Sequence, residues 1–464
     1  MRGFNLILKK FIYFILVTTI LFISCSEEDN PIVPSDDIIP PAAISDLVIG
    51  ITTANTAVLY FTAPGDDSLF GRASSYQVRY STTIFDSSNY TSTSVFTYPI
   101  SPNVGTTPDT VFLSGLTANT KYYIAVIALD EASNASPLSN IDSATTLLTG
   151  TWTVYTRDNS DIVSNNILDI EFDVATKYIA TDGGVSTYDN TNWNLIYESQ
   201  IIERIDSTFF PNDTIIDTTF LSTDNRANSI AIESSSRIWI GTDTAGVVLF
   251  EGDSLVFYTS HDSSSLLSTK DILISQNKLW IGTRSNGLHS FTLDGSAVWE
   301  QFDVPINSSF PGTGKINCLE VDANNAIWSG LQLIGATVYA NPTFTNYSLS
   351  DNFTNQQVLD IYSKGNRVLF GTDAGAFVFE NNTFTNYTTS QGLPDNSITA
   401  VAEANDGTFW FGTRYGLASY KNSQVVVYTT TNSLLPDNYI TDLKFDSFGN
   451  LWIGTQNGLA RFSH

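Results

Sequence analysis

The 464-residue chain has two cysteines, one methionine and three histidines. Two cysteines make no disulfide framework, and the pair differ in setting: Cys25 closes an N-terminal apolar run, whereas Cys318 sits in an apolar strand-like segment and reads as a small core residue. His261, His289 and His464 are too dispersed for a metal-ligand or catalytic spacing. No metalloprotease, calcium-loop, nucleophile-elbow or phosphate-loop motif occurs, so neither metal nor cofactor is expected. Positive charge is scarce as well. Against 47 acidic residues stand 21 basic ones, and the resulting charge of −26 turns away nucleic acid and anionic lipid. The N-terminal apolar run, thirteen residues from Phe11 to Ile23, is too short to span a bilayer.

That run is preceded by Arg2, Lys9 and Lys10 and followed by Ser24 and Cys25, the layout of a secretory signal over residues 1–24. The junction Leu21, Phe22, Ile23, Ser24, Cys25 resembles a bacterial lipoprotein signal, which implies cleavage before Cys25, lipidation of its thiol and a membrane anchor; an ordinary signal peptide is the alternative. Ser26, Glu27, Glu28 and Asp29 then resemble the acidic export signal of Bacteroidota lipoproteins, implying the outer membrane with the protein facing the cell exterior. Residues 25–40, acidic and punctuated by Pro31, Pro34 and Pro40, read as a semi-extended tether.

From residue 148 onward the chain repeats itself. Leu451, Trp452, Ile453, Gly454, Thr455 has counterparts at Ile238 to Thr242, Leu279 to Thr283, Val368 to Thr372 and Phe409 to Thr413. Degraded copies are Ile327 to Gly330 and Tyr178 to Thr181, the latter with Ala180 in place of glycine. The glycine positions, 180 (alanine), 241, 282, 330, 371, 412 and 454, are separated by 61, 41, 48, 41, 41 and 42 residues. A period of about 40 to 45 residues points to propeller blades. Each copy is a continuous apolar run, so the strand must be buried on both faces, with Leu451 and Ile453 against one neighbouring blade and Trp452 against the other. Outer strands beginning at Trp152, Trp193, Leu255, Val298, Phe344, Phe384 and Val425 also number seven. The first of them precedes any signature, which predicts that the N-terminal strand completes the last blade and removes an exposed edge. Two irregularities, an insertion within residues 199–224 and Leu331 to Ala336 in the fourth repeat, are places where the scaffold is either specialised or has drifted.

Residues 41–147 alternate short β-rich segments with turns and show no helical period, predicting a β-sandwich. Pro41, Leu47, the strands Ala57 to Pro64 and Tyr76 to Tyr80, and Leu116, Thr120 and Tyr122 resemble a fibronectin type III domain, in which the last three form a tyrosine corner. Tyr60 and Phe61 stand where that family has tryptophan, leaving an aromatic core plug. The fold expected is thus all-β: a fibronectin type III-like sandwich over 41–147, then a seven-bladed β-propeller over 148–464 closed by its N-terminal strand.

The repeat Asp395 to Ile398, Asp406 to Thr413, Gly416, Leu417 resembles the two-component regulator propeller repeat. That family supplies extracellular sensor domains of hybrid kinases, so the resemblance implies a non-enzymatic sensing or recognition module whose partner is an extracellular glycan or an envelope protein. In a four-stranded blade, the turn after the signature strand and the return from the outer strand share one face. The turns offer Asp182, Asp243, Arg284, Asn286, Asp373, Arg414, Tyr415, Gln456 and Asn457, and the returns Asn166, Asn228, Asn396 and Asn438. Guanidinium forks, amides and an aromatic ring suit sugar or peptide recognition. The asparagines could equally satisfy their own turns, and Arg284 and Arg414 could pair with neighbouring acids. Two other readings stay open: a propeller-type polysaccharide lyase, for which His289 is the candidate base, and a structural or adhesive protein of the cell envelope.

Overall fold

A computed structural model describes residues 37–199, 226–261, 264–296, 298–302, 315–332, 334–348 and 357–463. The signal segment, Cys25, most of the tether, nearly all of the 199–224 insertion and His464 lie outside the described residues.

Among the described residues the regular structure is strand with two single-turn 3-10 helices. The repeats form seven four-stranded antiparallel sheets, six of them built in chain order from an inner strand outward. The inner strands begin at Ile167, Ala227, Thr269, Ile316, Val358, Ile398 and Ile440, and each packs on the next, the last returning to the first. We number the sheets one to seven in that order. The outermost strand of sheet seven is Thr151–Tyr155, paired with Gly458–Ser463 through Phe462 opposite Trp152. The ring is therefore closed by its own beginning, as the order of signatures and outer strands predicts. Trp152 packs on Tyr428 of sheet six and on Phe462, with ring centroids 5.8 and 4.7 Å apart.

The apolar signature strands divide their side chains between neighbours. Leu451 and Ile453 join the core shared with sheet six, whereas Trp452 joins Ile167, Ile170 and Ile179 of sheet one. Ile238, Ile240 and Trp239 repeat this division between sheets one and three. Glycine ends the signature because the next inner strand passes over it. A Cβ on Gly454 would lie 2.9 Å from Ile167 Cγ2, and one on Gly412 only 2.6 Å from Ile440 Cγ2. Sheet one tolerates Ala180 because the residue opposite, Ala227, is smaller than its counterparts Thr269, Ile316, Val358, Ile398, Ile440 and Ile167. Several of the tryptophans are anchored as well as buried. The indoles of Trp239, Trp328 and Trp452 each donate to an acid six residues upstream, Glu233, Asp322 and Asp446, at 2.8, 3.1 and 3.0 Å.

Ahead of the ring stands a sandwich of a three-stranded sheet (Val48–Thr52, Thr56–Thr62, Pro108–Ser114) and a four-stranded one (Ser94–Thr97, Ser75–Ser81, Lys121–Leu129, Asp142–Thr145). Leu59, Tyr76, Val78, Val111, Leu113 and Val126 fill its core. Tyr122 Oη accepts the Thr117 N–H at 3.1 Å, the bond a tyrosine corner requires. Of the aromatic pair, only Phe61 is a plug: it is buried edge-on to Tyr76 at 5.0 Å, while Tyr60 points outward and covers Gly50. Strand alternation allows one of two successive residues inward, not both. Leu147 and Leu148 pack into the core of sheets six and seven, and the Leu148 N–H donates to Tyr428 Oη.

Two variants test this architecture. Trp452→Ala removes a fully buried ring and its indole hydrogen bond and should cost about 3 to 5 kcal/mol in denaturant unfolding. Deleting residues 37–158 should abolish a single cooperative unfolding transition of the ring, because sheet seven loses its outer strand; an unchanged transition would refute the closure.

Candidate functional site

The turns after the signature strands are held by a repeated bracket. The signature threonine donates its hydroxyl to the carbonyl of the glycine that opens the third strand: Thr181 to Gly184, Thr242 to Gly246, Thr283 to Gly287, Thr372 to Gly375, Thr413 to Gly416 and Thr455 to Gly458, at 2.6 to 3.1 Å. Gly416 and Gly458 have φ of 136° and 138°, which side-chain-bearing residues avoid. In sheet four Leu331 takes the threonine position, so this bracket is lost there. Between threonine and glycine lie two or three residues at one end of the ring, all of them at least partly exposed except Ala245.

The returns from the outer strands reach the same end. The Asp182 N–H bonds the Asn166 carbonyl, Asp243 bonds Arg226, Arg284 bonds Ser268, and Gln456 bonds Tyr439. Asp182, Arg284, Asp373, Arg414, Tyr415, Gln456 and Asn457 are exposed; Asp243 and Asn286 are half-buried. Asn396 and Asn438 accept the N–H of Thr389 and Thr430 and are turn residues. Asn166 instead reaches across to Asp182, and Asn228 to Asp243. Asn457 meets Asn165, and Arg414 lies 5.9 Å from the centre of the Tyr439 ring. Among the described residues neither Arg284 nor Arg414 forms an ion pair.

The densest grouping joins sheets two and three. Asp243 accepts from Asn228 Nδ2 at 2.7 Å and forms ion pairs with Arg226, Nε 2.7 Å away, and Lys270, Nζ 3.4 Å away. Burial alone would raise the Asp243 carboxyl, but Asn228, Lys270 and Arg226 hold it below the usual range. Burial pulls the Lys270 ammonium down, with Asp243 opposing and Arg284 and Arg226 adding to the shift. Sequence reasoning singled out Asp243, Arg284 and Asn286 but missed Arg226 and Lys270. The missed pair flank Asn228 and Thr269 at the start of inner strands, where only the cross-loop hydrogen bonds reveal their partner.

A second feature, absent from the sequence reading, is the channel along the ring axis, about 320 Å³, lined by inner strands of all seven sheets. Asp169, Asp271 and Asp360 each accept the backbone N–H of the next sheet's inner strand, at Ile230, Leu319 and Val401, at 2.7, 2.6 and 2.7 Å. Asn228, Asn317 and Thr399 make the alternate joints by donating to the carbonyls of Thr269, Val358 and Ile440. Sheet seven meets sheet one through the Lys444–Glu171 ion pair beside Asp442 and Asp169. Burial pushes Asp360 up to about 6, Asp442 to about 7 and Glu320 to about 8. His289 is wholly buried in the third strand of sheet three, which removes the candidate base from any substrate's reach.

Comparison with known proteins agrees with this architecture. Residues 392–415 and 434–457 match the two-component regulator propeller family model, covering the signatures of sheets six and seven. The extracellular domain of a hybrid two-component system from B. thetaiotaomicron is similar over 90% of this chain and 51% of its own, at 18% identity and TM-score 0.54. PorZ, described as an essential surface component of the type-IX secretion system of Porphyromonas gingivalis, covers 90% of this chain and 62% of its own, at 13% identity and TM-score 0.51. An inactive virginiamycin B lyase from Staphylococcus aureus, with quinupristin, covers 68% and 100%, at 13% identity and TM-score 0.51. These likenesses define an all-β, propeller-containing fold. Calcium-activated chloride channel regulator 1 of Mus musculus is 37% identical over 115 residues, 23% of this chain, which spans 12% of that relative.

The channel carboxyls predict an inverted pH dependence. Because their folded pKa values lie above the ordinary carboxylate value of about 4, their stabilisation is fully present below that value and is lost as pH rises through about 6 to 8. Melting temperature should fall between about pH 5 and pH 8.5, and Glu320→Gln should flatten the slope. A melting temperature that rises with pH in both proteins would contradict this assignment.

Proposed function

We propose that this chain is a non-enzymatic, lipid-anchored surface protein whose propeller recognises an extracellular glycan or protein through its turn face. In this reading residues 1–24 are a lipoprotein signal, Cys25 carries the lipid, residues 25–40 are the tether, 41–147 form a fibronectin type III-like platform and 148–464 a seven-bladed propeller at the outer membrane. The observation that carries it is the threonine–glycine bracket. Six of the seven sheets hold their turns with it, and apart from the buried Ala245 it frees the displayed residues from any part in the core.

The extracellular and surface settings named for the structurally similar proteins support the location, and the Bacteroidota-like acidic stretch after Cys25 agrees with it. The fold shared with virginiamycin B lyase keeps the lyase reading in view, yet burial of His289 leaves that reading without the base the sequence offered. A purely adhesive role would use the same face without a soluble ligand.

The test is binding of full-length, detergent-solubilised protein to glycan and peptide arrays, alongside an Arg284→Ala/Arg414→Ala double variant. Binding by the native protein that disappears in the folded double variant is expected. Unsaturated products from acidic glycans would instead establish a lyase.

A further inference from the structure

The sandwich and the ring meet across a very short connection. Strand Asp142–Thr145 of the sandwich is followed, after residues 146–150, by strand Thr151–Tyr155 of sheet seven. Within that span the Leu147 N–H donates to the Thr53 carbonyl and the Leu147 carbonyl accepts from the Asn119 N–H, each at 3.0 Å, while the Leu147 side chain is buried in the core of sheets six and seven. The next residue, Leu148, donates its N–H to Tyr428 Oη at 3.2 Å. Leu147 thus belongs to both domains, its backbone to the sandwich and its side chain to the ring, and the joint holds one against the other.

Beside this joint lies a cleft of about 510 Å³, a size usual for small-ligand sites. One wall is the sandwich, with Lys121, Ser143 and Thr145. The other is the outer edge of sheet six, with Gln424, Val425 and Val427 of strand Gln424–Tyr428. None of the lining residues is acidic or aromatic; hydroxyls, amides and small apolar side chains make up most of the surface. Among the described residues the side chains of Ser143, Thr145 and Gln424 make no hydrogen bond, and the Lys121 ammonium, 5.2 Å from the centre of the Tyr123 ring, has no ion pair. Donors and acceptors from both domains therefore face a space that is already formed, and a ligand entering it meets little ordering cost.

We propose that this cleft binds a neutral oligosaccharide, about two to three sugar rings long, held between the sandwich and sheet six. Ring hydroxyls meet Ser143, Thr145, Gln424 and the Lys121 ammonium, while Val425 and Val427, half-buried on one face of their strand, receive the C–H face of a sugar. An added peptide strand is obstructed by the edge itself. Asn422 and Ser423, with φ of 50° and 62°, form the two-residue turn that pairs Lys421 with Gln424, so Val425 and Val427 turn their peptide groups outward. The Val427 carbonyl already accepts Asn432 Nδ2 at 3.0 Å, and the Gly392 backbone packs on Val425, close enough that a Cβ there would lie 3.5 Å from Val425 Cβ. An edge covered in this way has little room to extend its ladder. The cleft lies on the flank of the ring and stands apart from the turn-face reading, so either can fail alone.

The test measures binding of the full-length protein in detergent to cellotriose, maltotriose, mannotriose and galactotriose, with a valine–threonine peptide as the strand arm. At least one trisaccharide should bind, and it should protect the amides of residues 143–145 and 424–427 from hydrogen exchange together. Ser143→Ala/Gln424→Ala, one residue from each wall, should weaken that binding about tenfold, and Gln424→Trp, which fills the cleft, about a hundredfold, both with the melting temperature unchanged. Arg284→Ala/Arg414→Ala should leave it intact. No binding by any trisaccharide overturns the proposal, as does protection of one wall only, or binding that Gln424→Trp leaves unchanged. Binding lost in Arg284→Ala/Arg414→Ala but kept in the cleft variants places the sugar on the turn face, so that recognition stands and the cleft fails. Peptide binding without sugar binding overturns the sugar assignment in favour of a protein strand.

Discussion

The ring depends on how each inner strand is tied to the next. Inner strands of adjacent sheets do not share a hydrogen-bonded ladder, so their facing backbone groups need other partners in an interior where an unmet N–H or C=O is costly. Side chains supply them in alternation. Asp169, Asp271 and Asp360 take an N–H from the following strand, and Asn228, Asn317 and Thr399 give to a carbonyl of the strand after that. Six joints accommodate a two-fold alternation, but a ring of seven sheets has one joint left over. At that joint Asp442 repeats the acid without the matching backbone donor, since the Ile170 N–H is taken by Asp169. The ion pair of Lys444 with Glu171 stands in its place, and the strand Thr151–Tyr155 covers the outer side of the same sheet.

This solution explains the character of the channel. The carboxylates that lock the sheets must sit at the axis, where the inner strands converge, and there they crowd one another. Burial then raises them, and only Lys444 offsets the charge within the lining. Acidic residues at the axis are thus a by-product of joining strands without a ladder. They are an assembly device, and a chain with so many carboxylates elsewhere gives no hint of it.

The sequence was legible wherever a residue's role repeats. The signature period located seven second strands, and the aromatic strand ends located the outer ones within a residue, as with Trp299–Phe302 against an expected start at Val298. The division of Leu451 and Trp452 between two neighbours follows from a strand buried on both faces. Less legible were contacts between residues about 41 to 61 apart that do not recur identically. Asp271 binds Leu319, but its equivalents in sheets two, four and six are Ser229, Cys318 and Ala400, so no column of the repeat announces the lock. Arg226 and Lys270 were missed for the same reason: each is a single deviation from its repeat, and deviation alone carries no direction. A polar residue in an apolar strand invites a catalytic reading, but a strand buried on both faces takes His289 into the core, as a packed strand residue.

The separation of frame from display has a consequence for how such a protein acquires specificity. The threonine hydroxyl and the glycine carbonyl fix each turn from within the sheet, and the glycine at the signature's end keeps the next sheet close. None of these groups reaches the exposed end, and apart from Ala245, which packs into the core between sheets one and two, none of the displayed residues reaches the core, so turn residues can vary at little cost to folding.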